Sequence, residues 1–270
     1  MDQKNTVSSS SATHTQTIIL EQGDIFFFYR PKVRSEKVES IEDVRRFFMV
    51  LAPESKKNEK NLIRLLVIGK KSLPEVRKTE ARSSDRYWAR VGGIFEDPTQ
   101  LTKDLLSSEF RDGDIARPAG EGKYAIVDHN NHTELSFVLE LPKEIGIAQK
   151  ELGIAKEASY IVTVINPKIP KKEENLPTTG DDPKYPESVL NDFNNNENFV
   201  PLSRNLGFID YQNAQIILIG AREGKDILTQ ELGIIVENEN ENDHSADIFT
   251  RLRIHKDQVP IKPLIEGKLE

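Results

Sequence analysis

The chain has 270 residues, 37% of them hydrophobic and 30% charged, with a formal net charge of −7 and no cysteine. No window reaches the roughly 18 consecutive apolar residues of a membrane-spanning helix, and the missing thiols exclude disulfides, cysteine nucleophiles and cysteine-ligated metals. The length suits two domains better than one, and the composition is that expected of a soluble, cytoplasmic protein.

Residues 1–17 are rich in Ser and Thr and lack the basic and apolar segments of a secretory signal, which predicts a disordered tail. The run Ile25-Phe26-Phe27-Phe28-Tyr29 is apolar without alternation, as in a strand buried on both faces, and Pro31 ends it. Ser40 with Asp43 forms a capping-box pattern ahead of a strand over Phe47 to Leu51, and Leu62 to Ile68 makes a third strand. Arg86 to Phe95 reads as a strand interrupted at Gly92-Gly93, where adjacent glycines predict a bulge. Leu101, Leu105 and Leu106 have the spacing of a short amphipathic helix.

The clearest local signal is Lys123 to Pro142, where two β-type runs flank Asn130-Asn131, because asparagine accepts the positive φ of a two-residue type I′ turn. A helix over Ile145 to Gly153 and a strand over Tyr160 to Ile165 follow. Residues 168–205, rich in Lys, Asn, Pro and Asp, read as an insertion with a helical turn between Tyr185 and Phe193; loops of this length are usually functional or disordered. Phe208 to Tyr211, Ile216 to Ile219 and Ile227 to Val236 are assigned to strands and Glu237 to His244 to an acidic hairpin tip. Ile248 to Ile254 is assigned to the strand that pairs back, and residues 257–270 to a tail.

Three blocks recur in order. GDIFFFYRP (23–31), RRFFMVLAP (45–53) and IRLLVIG (63–69) are echoed by HTELSFVLELP (132–142), EASYIVTVINP (157–167) and AQIILIG (214–220). Pro31 to Pro142 is 111 residues, Pro53 to Pro167 is 114 and Gly69 to Gly220 is 151, which places an insertion in the second copy. The expected architecture is α+β, predominantly antiparallel β-sheet with short helices, in two pseudo-repeated halves. The first unit would span 18–110, a Gly/Pro-rich linker 111–122, and the second unit 123–256.

Charge is uneven. Residues 23–90 hold 17 Lys or Arg against 10 Asp or Glu, leaving 20 against 34 elsewhere, so that either the halves attract each other or one of them binds anions. His129, His132 and Glu134 are the local set with metal-ligating chemistry. Across a two-residue hairpin the flanking histidines face each other at about 5 Å between Cβ atoms. Alternation adds Glu134 to that face, away from Tyr124, Ile126, Leu135 and Phe137 on the core side. Two imidazoles and a carboxylate make a three-ligand set with an open position; the same residues suit a solvated hairpin tip.

Gly120-Glu121-Gly122 precedes a strand and not the helix N-terminus that a phosphate loop needs, but Arg117 and Lys123 beside it, with Arg30, are candidate anion ligands. GAREGKD (220–226) is one residue short of the Walker spacing and carries Asp226 where Ser or Thr binds magnesium, which excludes it. Phe27, Tyr29, Arg30, Lys32 and Arg34 alternate aromatic and basic side chains, a pattern on which single-stranded nucleic acid stacks, although the acidic balance of the chain opposes that partner. No nucleophile elbow or HExxH pair is present.

GDIFFFYRPKV (23–33), RLLVIGKKSLP (64–74), ARPAGEGKYAIVDHNNHTEL (116–135) and EASYIVTVINP (157–167) resemble segments of a family of bacterial proteins, cyanobacterial ones among them, over roughly residues 23–221. That family has no established activity, so the resemblance implies a stand-alone soluble protein and transfers no catalytic or binding residue. The expected function is a non-enzymatic ligand-binding or interaction module, with a small molecule or protein entering a cleft between the halves. The alternative is an enzyme, metal-assisted through His129, His132 and Glu134, or acting on an anionic small molecule held by Arg30, Arg117 and Lys123. Neither a cofactor nor an oligomeric state is legible, and nucleic acid and membrane are not expected as partners.

Overall fold

The first strand, β1 (Ile18–Pro31), has Ile25 through Tyr29 at 0% exposure, and the fold follows from what covers its two faces. A computed structural model of the chain describes residues 18–32, 38–54, 61–76, 86–107, 115–129, 132–169, 181–222 and 247–270. The strands that follow β1 are β2 (Val44–Pro53), β3 (Ile63–Ile68), β4 (Arg86–Phe95), β5 (Arg117–Asp128), β6 (Thr133–Leu141), β7 (Glu157–Ile165), a short β8 (Phe199–Pro201) and β9 (Gln215–Arg222). Eight of them run β6-β5-β1-β2-β3-β4-β9-β7, and β6 pairs with β7 to close an antiparallel barrel. β8 extends β7 past the end of β6, at Thr163 to Ile165. No helix among the described residues is long and apolar enough to cross a membrane.

Alternation sorts the strand residues into two layers. Phe27, Phe47, Tyr124, Phe137 and Tyr160 fill the interior, with Phe27 and Phe137 rings 5.1 Å apart and Phe137 stacked on Tyr160 at 6.1 Å. An eight-stranded barrel is just wide enough for side chains to fill it. Outside, Phe26, Phe28, Phe48 and Val50 belong to a second core built with Leu101 and Leu105 of α1 (Pro98–Leu106), and with Ile248 and Leu264. Continuous apolarity in β1 is therefore the signature of a wall covered on both sides.

Local signals placed most elements. Ser40 and Asp43 form a full capping box on a 3-10 turn at Ile41–Asp43. Asp97 accepts from the Thr99 N–H and Pro98 occupies the first turn of α1. The β3–β4 register shifts at Gly92, where the bulge was expected. α2 (Ile147–Leu152) ends on Gly153 in the left-handed region at φ 68, and α3 (Glu187–Leu190) is the helical turn inside the insertion. One barrel end is capped by α2 with Leu73 and Ile154, and the other by residues 181–211, whose Tyr185, Phe193 and Phe208 continue the inner core.

Several expectations are corrected. Residues 117–122 are not a linker but the first half of β5, and strands from both halves share one barrel. The echoed blocks form two meanders, β1-β2-β3 and β6-β7-β9, yet matched positions face opposite sides. Adding the offsets of 111, 114 and 151 sends inward Phe27, Met49 and Leu66 to Val138, Thr163 and Ile217, whereas the interior is lined by the neighbours Phe137, Val162 and Leu218. A barrel has one inside, so the halves are not two equivalent units.

Leu206–Asp210 is a 3-10 turn and not a strand, because the Asn205 side chain accepts from the Gly207 N–H at 2.8 Å and starts a turn. Asp247–Arg251 is a helix, α4, where a returning strand was expected; buried Ile248 and Leu252 lie four residues apart on one helical face. Residues 257–270 are packed against the barrel, with α5 (Lys262–Ile265) burying Leu264. The expected tail at 1–17, strand at 227–236 and acidic tip at 237–244 lie outside the described residues.

Candidate functional site

The hairpin of β5 and β6 brings His129, His132 and Glu134 together. His132 Nε2 is 2.8 Å from Glu134 Oε1, His129 Nε2 is 3.7 Å from Oε2, and the two rings stack at 5.3 Å between centroids. Tyr124, Ile126, Leu135 and Phe137 point the other way, into the barrel. His132 is hydrogen-bonded to one oxygen of the buried Glu134 carboxylate, while His129 stands at ion-pair distance from the other. Among the described residues no group of three His, Asp or Glu side chains is placed to hold a metal ion.

The three expected anion ligands are separated. Arg30 faces out of the barrel, stacks 5.6 Å over Phe48 and donates to the carbonyls of Asp104 and Leu105 at 3.0 and 3.1 Å, which caps the end of α1. Lys123 is held 2.8 Å from both Asp24 and Asp247, with Glu140 at 3.7 Å. Burial pulls the Lys123 pKa down, but these carboxylates outweigh it and leave the ammonium above its ordinary value. Arg117 sits at the start of β5 opposite Tyr29. The aromatic members of the expected nucleic-acid surface, Phe27 and Tyr29, are sealed in the interior at 0% exposure, and Arg34 lies outside the described residues.

A charged network that local spacing does not reveal closes the barrel end nearest the insertion. Arg64, 4% exposed, places Nη1 2.6 Å from Glu21 Oε1 and Nε 2.7 Å from Asp210 Oδ1, while the Tyr124 hydroxyl donates to the same Glu21 oxygen at 2.7 Å. Desolvation works against the guanidinium, but Glu21 and Asp210 overcome it and hold Arg64 above its ordinary pKa. Burial keeps Asp210 above the usual carboxylate range, an effect the Arg64 charge only partly offsets. An arginine inside the run IRLLVIG was the available clue, since lone charges in buried strands need partners.

On the outside of that rim, residues 181–213 lean on β4 and leave a cleft of about 740 Å³ lined by Arg90, Asp181, Lys184, Tyr211, Gln212 and Asn213. Its floor is fixed by backbone bonds: Asn213, at φ 71, donates to the Val91 carbonyl at 2.8 Å, and the Val91 N–H donates to Ala214 at 2.9 Å. Arg90 Nη1 donates to Asn213 Oδ1 at 2.9 Å, and Gln212 Nε2 donates to the Gly92 carbonyl at 3.0 Å. Tyr211 packs edge-on against Tyr185 at 5.1 Å. Asp181 and Lys184 stand exposed on the opposite wall. None of these residues was singled out in the sequence, because Arg90 meets its partners only across 91 or more positions of chain.

The fold therefore defines an antiparallel eight-stranded barrel with a filled interior and a polar cleft on its rim. Comparison with protein-family models, with curated proteins and with solved structures finds no match for the chain.

Proposed function

We propose that this protein is a non-enzymatic binding module that takes a small polar molecule with an anionic group into the cleft between β4 and residues 181–213. One observation carries this reading: the cleft, at about 740 Å³, falls in the range of roughly 300–1,000 Å³ typical of small-molecule sites, and it sets two cations, Arg90 and Lys184, against one acid, Asp181. The amides of Gln212 and Asn213 supply the polar groups that orient a ligand. The wall of the cleft that comes from the insertion gives that long segment a purpose.

The test is a thermal-shift and calorimetric screen of small carboxylates, phosphates and amino acids on the full chain, repeated on Lys184→Glu. Lys184 is exposed, so its reversal leaves the fold intact. Ligands of the cleft raise the unfolding midpoint of the wild type and lose at least tenfold in affinity in the variant. If no compound stabilises the protein, or every hit binds the variant equally, the cleft is not a small-molecule site and the interaction is with a protein.

A second reading, that of an enzyme, has the meeting of His129 and His132 on Glu134 behind it, since an imidazole hydrogen-bonded to a buried carboxylate is how a general base is built. Elemental analysis of purified protein decides its metal-assisted form. Stoichiometric metal that disappears in His129→Ala/His132→Ala supports it, and metal-free protein removes it.

A further inference from the structure

Arg117 opens β5 at the barrel end opposite the cleft, in register with Tyr29. Its Nε and Nη1 are buried and neither has a hydrogen-bond partner. The other two expected anion ligands are engaged, Arg30 with carbonyls and Lys123 with carboxylates, whereas Arg117 keeps Nε and Nη1 unused. A guanidinium cannot escape burial by losing its proton, as a lysine can. Buried N–H groups without acceptors are costly.

The surroundings are built, not loose. The Tyr29 hydroxyl donates to a main-chain carboxylate oxygen of Glu270 at 3.3 Å and accepts from the Glu270 N–H at 3.2 Å, so residues 262–270 are laid across this end of β1. Gln149 of α2 ties that segment in place, donating to the carbonyls of Ala119 and Pro263 at 2.6 and 2.9 Å. The Glu270 side-chain carboxylate is itself taken up by Lys262 at 2.6 Å and does not serve Arg117. Burial raises the Tyr29 pKa and the nearby Arg117 charge draws it back, which places the guanidinium beside the phenol.

We infer that Arg117 is the anchor of an oxyanion-binding site, for a carboxylate or a phosphate group, between the start of β5 and the C-terminal segment. A two-oxygen anion satisfies both donors at once in the planar fork geometry of arginine. This site is at the other end of the barrel from the cleft and does not rest on the cleft reading.

The experiment titrates the full chain with inorganic phosphate and, separately, with acetate, at constant ionic strength against chloride, reading heat of binding and unfolding midpoint. Lys184→Glu, which removes any contribution of the cleft, retains a saturable response to one of the two anions, and which one names the source of the oxygens. Arg117→Met loses at least tenfold in affinity, while Arg117→Lys, which keeps the charge without the fork, retains a weaker response. Without anion, Arg117→Met is at least as stable as wild type, because it no longer leaves buried N–H groups without acceptors. The inference is overturned if neither anion acts beyond chloride, if both Arg117 variants respond as wild type does, if the response vanishes in Lys184→Glu, or if Arg117→Met is strongly destabilised without anion, which would mean that the guanidinium has a partner in the protein.

Discussion

Arg64 shows how a single residue closes a barrel. It sits 43 positions from Glu21 and 146 from Asp210, so its two ion pairs join β1, β3 and the 3-10 turn Leu206–Asp210. Removing one partner of a buried pair is worse than never having buried it, because the other charges stay behind without compensation. Arg64→Met is accordingly expected to lose about 3–5 kcal/mol, read as a drop in the urea midpoint at unchanged slope. Adding Glu21→Gln to Arg64→Met should recover part of that loss, and a double variant no more stable than the single one would remove the network as the cause. At this scale the sequence was legible where the meaning of a residue is local. Ser40, Asp97 and Gly153 do what their neighbours predict, whereas the partners of Arg64 and Arg90 are set by closure.

Among the elements, α4 is held in position by one buried side chain of β5. Glu121, fully buried in β5, accepts the N–H groups of Asp247 and Ile248 at 3.0 and 2.9 Å, and Lys123 two residues on binds Asp247 itself. The Arg251 guanidinium then reaches Asp24 of β1 at 2.6 Å, so the helix is fastened at both ends. Hydrogen bonds to a charged group contribute about 1.5–3 kcal/mol each. Glu121→Ala should therefore cost roughly 3 kcal/mol and speed amide exchange across Asp247 to Arg251 while leaving β2 and β3 protected. Equal acceleration everywhere would show that the carboxylate holds the barrel and not the helix. The Gly120-Glu121-Gly122 segment, read from sequence as a joint, turns out to be a docking strand. Gly122 has no side chain because a Cβ there would lie 2.0 Å from the Val138 carbonyl. The Ile248 to Ile254 segment was misread as a strand because six or seven apolar and polar residues fit either period, and only packing against β1 and β2 selected the helical one.

For the molecule as a whole, a core with tyrosines at its centre has a consequence in alkali. Burial raises the pKa of Tyr29, Tyr124, Tyr160 and Tyr185, and the carboxylates around Lys123 raise its own against burial. In each case the folded state keeps a proton that the unfolded chain gives up at about pH 10–10.5, so stability falls as pH rises past that point and is fully present below it. Lys156, which burial shifts downward, acts in the opposite sense, one group against five. The protein should unfold cooperatively in alkali, with a late step in tyrosinate absorbance that coincides with loss of far-ultraviolet circular dichroism. Tyrosine ionisation completed before any loss of structure would contradict the burial of these phenols.

Strand positions, the β5–β6 hairpin, the bulge at Gly92 and the helices α1 and α2 were set by residues within a few positions of one another, which is why spacing alone revealed them. So was the meeting of His129, His132 and Glu134, a product of alternation about one turn. Closure was not local. That matched blocks of the two halves face opposite sides, that Arg30, Arg117 and Lys123 part company, and that Arg90 joins residues 181–213 to form a cleft all depend on which strands meet around the barrel. A period of two says that a strand has two faces; only the closed sheet, with one interior to fill, decides which of them is inside.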